Sequence, residues 1–290
     1  MTRLCKGYDQ AGLDAQFVLS GADDIDALFA RRQQAAEAAR NRYRSARGLA
    51  YGGLPGETLD VYRPEGADGA PVLLFIHGGF WRSLAAADFA FVADGFVPAD
   101  IVTVVIDYPL IPETDLAGIV ASCARALAWV RGSIADHGGD PDTIHIAGNS
   151  AGGHLVAELA HPDRMRASGL PAGTIKSVCA ISGLFELAPV RLSFQNETLD
   201  LTQADVERFS PQRHVTPGFP PTLVTVGGLE TQEFLDQSVD YADKLRAQGN
   251  QTDLLVVPGA NHITIVLDHF ARPGSDLNTA ALTLMGIAGA

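Results

Sequence analysis

The chain has 290 residues, of which 47% are hydrophobic and 19% charged, a balance typical of a folded globular protein and not of a disordered one. Lysine and arginine number 21 against 34 aspartates and glutamates, so the formal net charge is −13. Because this charge repels nucleic acid and anionic membrane surfaces, we exclude both classes of partner.

The first predicted element is a charged, alanine-rich helix over residues 23–47, within a helical N-terminal segment 1–47. An alternating pattern over 57–64 then predicts an antiparallel edge strand. Short apolar runs rich in β-branched residues follow and predict further strands. They cover residues 71–77, 101–108, 143–149, 175–182, 221–228 and 253–259. Their nearly continuous apolar character is typical of parallel strands covered on both faces.

Helices are predicted between these strands from apolar residues at helical spacing. They cover residues 115–138, 150–161, 231–249 and 275–288. This alternation predicts an α/β fold with a mostly parallel central sheet and helices on both faces. The irregular residues 184–220 and the N-terminal helix are expected to form a small lid. No linker divides the chain, so we expect a single domain over 1–290.

Cellular location and cofactors are constrained mainly by the cysteines and histidines. The three cysteines, Cys5, Cys123 and Cys179, show no C-x-x-C spacing, and reduced thiols in a cytoplasm fit them best. The N-terminus lacks the apolar core of a signal peptide, and no run approaches the ~20 apolar residues of a membrane helix. No H-x-x-x-H pair, zinc spacing or G-x-G-x-x-G motif is present, so we expect neither a metal nor a cofactor.

A nucleophile is suggested by the stretch Gly148-Asn149-Ser150-Ala151-Gly152, which matches G-x-S-x-G between a predicted strand and a predicted helix. In that setting the serine lies on a strained turn with its hydroxyl exposed above the sheet, and the glycines prevent clashes with neighbouring backbone. The alternative is a serine N-cap that glycines flank by chance. We predict that Ser150 is a catalytic nucleophile.

A base must take the serine proton near neutral pH, and histidine has a suitable unperturbed pKa of ~6.5. In this architecture the chain order is nucleophile, acid and histidine. His262 follows the last predicted strand, where a side chain can reach across the carboxyl ends of the sheet. We predict that His262 is the base; the alternative is a capping or surface histidine. His154 is expected to pack or to make a structural hydrogen bond.

The acid is expected in the loop after the strand predicted over 221–228. Glu230 follows that strand directly, whereas Glu233 and Asp236 belong to the next predicted helix and remain alternatives. We predict that Glu230 holds the imidazole tautomer and stabilises the imidazolium.

The stretch FIHGGFW over residues 75–81 passes from a strand into two glycines. Attack on a carbonyl creates an oxyanion, which backbone N–H groups stabilise well. We predict that Gly79, Phe80 and Ala151 supply these groups and that Gly78 shapes the turn, since glycine lets the backbone approach a substrate. Phe80 and Trp81 either pack the loop in place or form the wall of a substrate pocket.

On these motifs the chain resembles the α/β-hydrolase superfamily, in its hormone-sensitive-lipase-like branch with an HGG-type oxyanion loop. Within that branch it is similar to the kynurenine formamidase (arylformamidase) family, whose H-G-G-x-W signature matches residues 77–81. The likeness extends to residues 8–17, 108–113, 148–154 and 226–238, and therefore spans most of the chain.

The resemblance implies that the catalytic triad falls on Ser150, Glu230 and His262, and that Gly78, Trp81 and Tyr108 contact the substrate. The chain departs from the family in two ways. The family commonly has aspartate where Glu230 stands. Its tyrosine-arginine pair is replaced here by Tyr108 and Pro109, which removes a cation near the base of the pocket.

Three functions follow as hypotheses. The first is cofactor-free hydrolysis of a formyl amide of an aromatic amine, such as N-formylkynurenine, through an acyl-enzyme. The second is a carboxylesterase for short acyl or aryl esters. The third is a non-catalytic receptor with the same fold, although such receptors usually lack a triad member and here each member has a candidate. The expected partner is a small-molecule ester or amide; dimers are common among such hydrolases, but no pattern identifies a homodimer interface.

Overall fold

The computed structural model describes residues 5–19 and 24–287, in which eight strands form one sheet in the order β1-β2-β4-β3-β5-β6-β7-β8. The strands are β1 (Arg44–Ala50), β2 (Thr58–Arg63), β3 (Ala70–Ile76), β4 (Val102–Ile106), β5 (Gly139–Asn149), β6 (Ile175–Ile181), β7 (Thr222–Gly227) and β8 (Thr252–Val257). The pairs β1–β2 and β2–β4 are antiparallel, and all other neighbours are parallel. The predicted mostly parallel sheet is confirmed. The strand predicted over 57–64 corresponds to β2 and is antiparallel as expected, but it is not the edge strand, because β1 pairs with its outer side.

The α-helices of the described residues surround this sheet. They are α1 (Gln10–Ala15), α2 (Ile25–Arg42), α3 (Ala93–Phe96), α4 (Leu116–Ser133), α5 (Ala151–Ala160), α6 (Pro162–Ala167), α7 (Ala188–Leu192), α8 (Asn196–Leu199), α9 (Gln203–Phe209), α10 (Gln232–Ala247) and α11 (Asp276–Leu284). Short 3-10 segments cover Ala86–Val92, Val97–Ala99, Ile134–His137 and Pro211–Arg213, and a π-helical turn covers Ile265–Phe270. The predicted helices 115–138, 150–161, 231–249 and 275–288 correspond to α4 with its 3-10 end, α5, α10 and α11; residue 288 lies outside the described residues.

The helix predicted over residues 23–47 is wrong at its carboxyl end. Helix α2 stops at Arg42, Tyr43 turns to extended backbone, and Arg44–Ala50 forms the edge strand β1. Strand β1 is largely exposed and its pairing with β2 shifts register between Ala46 and Leu49. An exposed, irregular strand has no alternating apolar pattern, which is why the sequence gives no sign of it. The predicted start, residue 23, lies outside the described residues.

The core has two layers, one on each face of the sheet. Along β3, Val72, Leu74 and Ile76 belong to one layer, while Leu73 and Phe75 belong to the other. Helices α4, α5 and α10 contribute to the first layer, and α2, α11 and the 3-10 segment Ala86–Val92 contribute to the second. Because successive side chains of a strand point to opposite faces, burial on both faces accounts for the nearly continuous apolar runs.

The N-terminal segment is attached to residues 184–220 and to the start of α10. The Gln195 side-chain amide donates to the Phe17 carbonyl (3.1 Å), and the Phe194 N–H donates to Asp14 (2.8 Å). The Thr231 hydroxyl donates to the Gln16 carbonyl (2.7 Å). Residues near the amino terminus therefore lie beside the carboxyl ends of the parallel strands. Within residues 5–19 and 24–287, no helix combines the length and apolar character needed to cross a membrane.

Candidate active site

Ser150 lies on a sharp turn between β5 and α5, with φ 58° and ψ −120°. Positive φ is strained for a residue with a side chain, and such strain persists mostly where the surrounding structure requires it, often in active sites. Although Ser150 precedes the helix, its side chain makes no capping hydrogen bond. The Ser150 hydroxyl therefore does not cap the helix, which was the alternative interpretation.

The glycines on either side of Ser150 are required by close backbone contacts. A Cβ atom at Gly148 would overlap the carbonyl oxygen of Gly152, and a Cβ at Gly152 would overlap that of Ile76, the last residue of β3. The start of α5 thus packs directly on the end of β3. The G-x-S-x-G pattern has a steric origin here, because any larger residue would push the serine turn away from the sheet.

Glu230 and His262 form a hydrogen-bonded pair across the ends of β7 and β8. The Nδ1 atom of His262 donates to Oε2 of Glu230 at 2.5 Å. Since an ionised carboxylate can only accept, Nδ1 carries the proton and the neutral ring keeps a free lone pair on Nε2. The Glu230 side chain is 1% exposed and that of His262 is 13% exposed, so the pair is shielded while the imidazole stays accessible. This is the arrangement that a general base requires.

Two further donors hold the Glu230 carboxylate, and sequence reasoning missed both. The Ser182 hydroxyl donates to Oε1 at 2.6 Å, and the Gly227 N–H donates to the same oxygen at 2.7 Å. Ser182 follows β6 with a positive φ of 49°. Its position after a predicted strand was the only available signal, and a serine at a strand end is too common to single out.

The alternative acids are engaged elsewhere. Glu233 accepts from the Gln237 amide (2.9 Å) and pairs with Lys6 (3.3 Å), and Asp236 pairs with the same lysine (3.8 Å). Of the three candidates, Glu230 is the one that contacts His262.

The loop after β3 has the backbone conformation that the two glycines suggested. Gly79, Phe80 and Trp81 all have positive φ, at 111°, 47° and 57°, and the Gly79 carbonyl accepts from the N–H groups of residues 82 and 83. Among the described residues, the N–H groups of Gly79 and Phe80 find no acceptor. Ala151 is the first residue of α5, and a first-turn N–H has no partner within its own helix. All three predicted donors are therefore available.

Gly78 places this loop against the serine turn. A Cβ atom at Gly78 would lie 2.9 Å from the carbonyl oxygen of Asn149 and 3.0 Å from Cβ of Ser150. Glycine is thus required for the close approach of the two loops, which brings the open N–H groups of the first near the hydroxyl of the second.

Trp81 and Tyr108, predicted to contact the substrate, lie instead behind the loop. Trp81 is fully buried and its ring meets that of His154 edge-on at 5.1 Å. The Tyr108 hydroxyl donates to the His77 carbonyl (3.0 Å), and the two rings stack at 4.4 Å. Neither residue lines the cavity beside Ser150. Their aromatic rings pack against the buried side of the loop and stabilise it there. Phe80 does line that cavity.

Two buried histidines near the site have structural partners. His77 donates from Nδ1 to the Gly78 carbonyl (2.7 Å), and burial lowers its pKa. His154 donates from Nε2 to the Phe209 carbonyl (2.8 Å), and burial lowers its pKa to about 3. The structural role expected for His154 agrees with this contact.

Ser150 and His262 line one cavity of about 450 Å³ together with Gly78, Gly79 and Phe80. Its other walls are mostly apolar and include Phe89, Phe91 and residues of the N-terminal segment. Cavities of this size and character suit small molecules with an apolar body. In the described part of the chain, no group of three or more His, Cys, Asp or Glu side chains is arranged to hold a metal ion.

The sheet order and the turn at Ser150 define the class of protein, which is an α/β hydrolase. A family model described as the alpha/beta hydrolase fold matches residues 73–266, two thirds of the sequence. The chain belongs to this family and is a hydrolase, as the motifs predicted.

Relatives of known name include amide and ester hydrolases. A kynurenine formamidase of Salmo salar is 28% identical over 255 residues, covering 86% of this chain and 85% of that protein. Esterase LipC of Mycobacterium tuberculosis is 32% identical over 265 residues, covering 84% of this chain and 65% of LipC. Among solved structures, a thioesterase candidate from Silicibacter sp. tm1040 superposes with a TM-score of 0.81 at 27% identity, covering 93% of this chain and 98% of that one.

Proposed function

We propose that the protein hydrolyses a formyl amide of an aromatic amine, such as N-formylkynurenine, with Ser150, His262 and Glu230 as nucleophile, base and acid. The observation that carries this proposal is the Glu230–His262 hydrogen bond beside a strained serine in one cavity with aromatic walls. The likeness to a kynurenine formamidase along most of both chains supports the choice of substrate.

In the acylation half of the proposed reaction, Nε2 of His262 takes the Ser150 proton while Oγ attacks the formyl carbon. The resulting oxyanion accepts hydrogen bonds from the N–H groups of Gly79, Phe80 and Ala151, each donor of this kind being worth about 10²–10³ in rate. His262 then passes its proton to the amine nitrogen, the C–N bond breaks, and the amine leaves a formyl ester on Ser150.

Deacylation repeats these steps with water. His262 takes a proton from a water molecule, which attacks the formyl ester and forms a second oxyanion in the same position. Collapse releases formate and returns the proton to Ser150. Glu230 remains ionised throughout and stabilises the imidazolium that forms in each half-reaction.

A carboxylesterase acting on short acyl or aryl esters is the second candidate. It is favoured by the relationship to LipC, which is named an esterase and has the higher sequence identity of the two named relatives. The same groups would perform this reaction, and the alcohol would leave in place of the amine.

Substrate choice is tested by kcat/KM for N-formylkynurenine and for phenyl acetate. The formamidase proposal predicts that the formamide is hydrolysed at least as efficiently as the ester. A preference for the ester by orders of magnitude would assign the protein to the esterases.

The role of Ser150 is tested with a fluorophosphonate probe, which labels activated serines. We expect labelling of the wild type and of Ser83→Ala, and loss of labelling in Ser150→Ala. Ser83 is a matched control because it lines the same cavity, but its hydroxyl donates to the Gly79 carbonyl (2.9 Å). Folded wild-type protein that takes no label would favour a non-catalytic receptor.

A cytoplasmic location is also proposed, on the basis of the cysteines. Cys5, Cys123 and Cys179 are all unpaired, and burial raises the pKa of the Cys123 and Cys179 thiols. Such thiols are stable in a reducing compartment. Assembly into a homodimer is carried over from the family resemblance alone.

A further inference from the structure

Two cations lie on the lining of the active-site cavity. Arg32 and Arg82 are on its wall, and none of its described lining residues is aspartate or glutamate. The positive charge on the cavity lining is opposite in sign to the net charge of the whole chain, which is formally −13. A cavity lined by one sign of charge raises the local concentration of ligands of the other sign. An anionic ligand is therefore favoured here, although the rest of the surface repels it.

Arg32 belongs to α2 and reaches the cavity across two aromatic rings. Its guanidinium carbon lies 5.1 Å from the ring centre of Phe29 and 5.5 Å from that of Phe89, and both rings also line the cavity. Stacking of this kind fixes a planar guanidinium and leaves its edge free for hydrogen bonds. The side chain is thus held in position before any ligand binds.

Among the described residues, Arg32 has no ion-pair partner, and its buried Nε atom has no acceptor. Burial lowers its pKa, and the charge of Asp88 partly opposes this shift, but the Asp88 carboxylate accepts from the Ala85 N–H. The guanidinium stays protonated in proteins. A partly buried cation without a partner is costly, and a ligand carboxylate would supply the missing acceptors.

Arg82, the second cation, already has a structural partner. Its guanidinium donates to the Gln195 side-chain carbonyl at 2.7 Å, and the same Gln195 amide donates to the Phe17 carbonyl. Arg82 therefore connects the oxyanion loop to residues 184–220 and to the N-terminal segment. Arg32 is the cation whose hydrogen-bonding edge is available.

We propose that Arg32 binds a carboxylate on the substrate, so that the preferred substrates are acyl amides or esters with an aromatic body and an anionic group remote from the scissile bond. The phenylalanines of the cavity hold the aromatic body, and Arg32 fixes the end that does not react. This inference rests on the proposed hydrolytic site, but it applies equally to an amide and to an ester.

The test uses two aryl acetates that differ in charge, 4-carboxyphenyl acetate and its neutral methyl ester. The quantity measured is kcat/KM for the anionic ester divided by kcat/KM for the neutral one. We expect Arg32→Met to lower this ratio by about 10-fold to 100-fold, the usual worth of a hydrogen-bonded ion pair. Arg32→Lys, which keeps the charge without the planar fork, should show a smaller loss.

Arg31→Met is the matched control. Arg31 is the neighbour of Arg32 on α2, but it pairs with Asp268 (2.7 Å) and does not line the cavity. It should leave the ratio unchanged. The proposal would be overturned if Arg32→Met left the ratio unchanged, for example by lowering kcat/KM equally for both esters. It would also be overturned if Arg31→Met lowered the ratio as much as Arg32→Met.

The wild type provides a measurement that needs no variant to fold. Benzoate should inhibit hydrolysis of the neutral ester more strongly than benzamide, and added salt should weaken its inhibition. Equal inhibition by the two compounds would contradict the proposal. Because every probe is an ester or an inhibitor, failure of this test is distinct from failure to hydrolyse N-formylkynurenine.

Discussion

Glu230 illustrates how much one side chain of this site depends on its surroundings. Its buried carboxylate accepts from Ser182, Gly227 and His262, and these donors come from the ends of three different strands. Hydrogen bonds from three directions fix the orientation of the group. A fixed, ionised carboxylate in turn decides which nitrogen of His262 carries the proton.

Replacing Glu230 by glutamine should remove this control while keeping the size of the side chain. We expect Glu230→Gln to lower kcat about 10⁴-fold, as the loss of the tautomer-fixing carboxylate does in serine proteases. Steady-state kinetics on phenyl acetate would measure the change. Glu233→Gln is the control, because Glu233 pairs with Lys6, and its kcat should stay within a few-fold of the wild type. A larger loss in Glu233→Gln than in Glu230→Gln would move the acid to position 233.

At the scale of elements, the contact between α5 and β3 decides where the serine turn lies. Gly152 meets the Ile76 carbonyl so closely that no Cβ fits, and Gly153 is similarly close to Gly183. The helix can therefore begin directly on the sheet, and its first N–H groups face the loop after β3. Helix–sheet packing and the position of the proposed oxyanion donors depend on the same small residues.

An alanine in this contact should destabilise the protein. We expect Gly152→Ala to lower the free energy of unfolding by about 1–3 kcal/mol, since overpacking forces the backbone to move, and to lower kcat as the serine turn shifts. Urea denaturation would measure the stability. Gly132→Ala is the control within α4, where a Cβ would meet open space; helix propensity predicts a gain of about 0.5–1 kcal/mol there. Equal effects of the two substitutions would show that the α5–β3 contact is looser than described.

The elements and the site were not equally predictable from sequence. Parallel strands and the turn at Ser150 produce local patterns, namely apolar runs and paired glycines, so their positions could be predicted within a few residues. Strand β1 is exposed and has no such pattern. Ser182 and Arg32 reach the site through contacts between distant parts of the chain, which no local pattern records. The sequence predicts that Trp81 belongs to the loop after β3. The side of that loop on which its ring packs is decided by tertiary structure.

For the whole molecule, buried neutral histidines should govern stability in acid. Burial lowers the pKa of His145 to about 4 and that of His154 to about 3, and it also lowers the pKa of His77. In the unfolded chain each would titrate near its ordinary value of ~6.5. The unfolded state therefore binds more protons below that pH, and acid favours unfolding.

The contribution of His154 can be isolated. The pKa of His154 is lower in the folded state than in the unfolded state, so its contribution to the free energy of unfolding is fully present above pH ~6.5. As the pH falls from there towards about 3, this contribution is lost at about 1.4 kcal/mol per pH unit. His154→Gln keeps an N–H donor for the Phe209 carbonyl but does not titrate. We expect the difference in unfolding free energy between wild type and variant, measured in urea at pH 7, 6 and 5, to shift in favour of the variant as the pH falls. Parallel pH profiles would contradict this.

The hydrogen bonds of Phe17 with Gln195 and of Gln16 with Thr231 join residues 178 and 215 positions apart. Bringing such distant residues together costs chain entropy that only an almost complete tertiary structure can offset. The cavity likewise combines residues far apart in sequence, with Phe29 and Arg32 on one wall and His262, the proposed base, on another. During synthesis the central strands can pair early, but a nascent chain lacks one wall of this cavity until His262 has left the ribosome, so we expect an incomplete chain to be inactive.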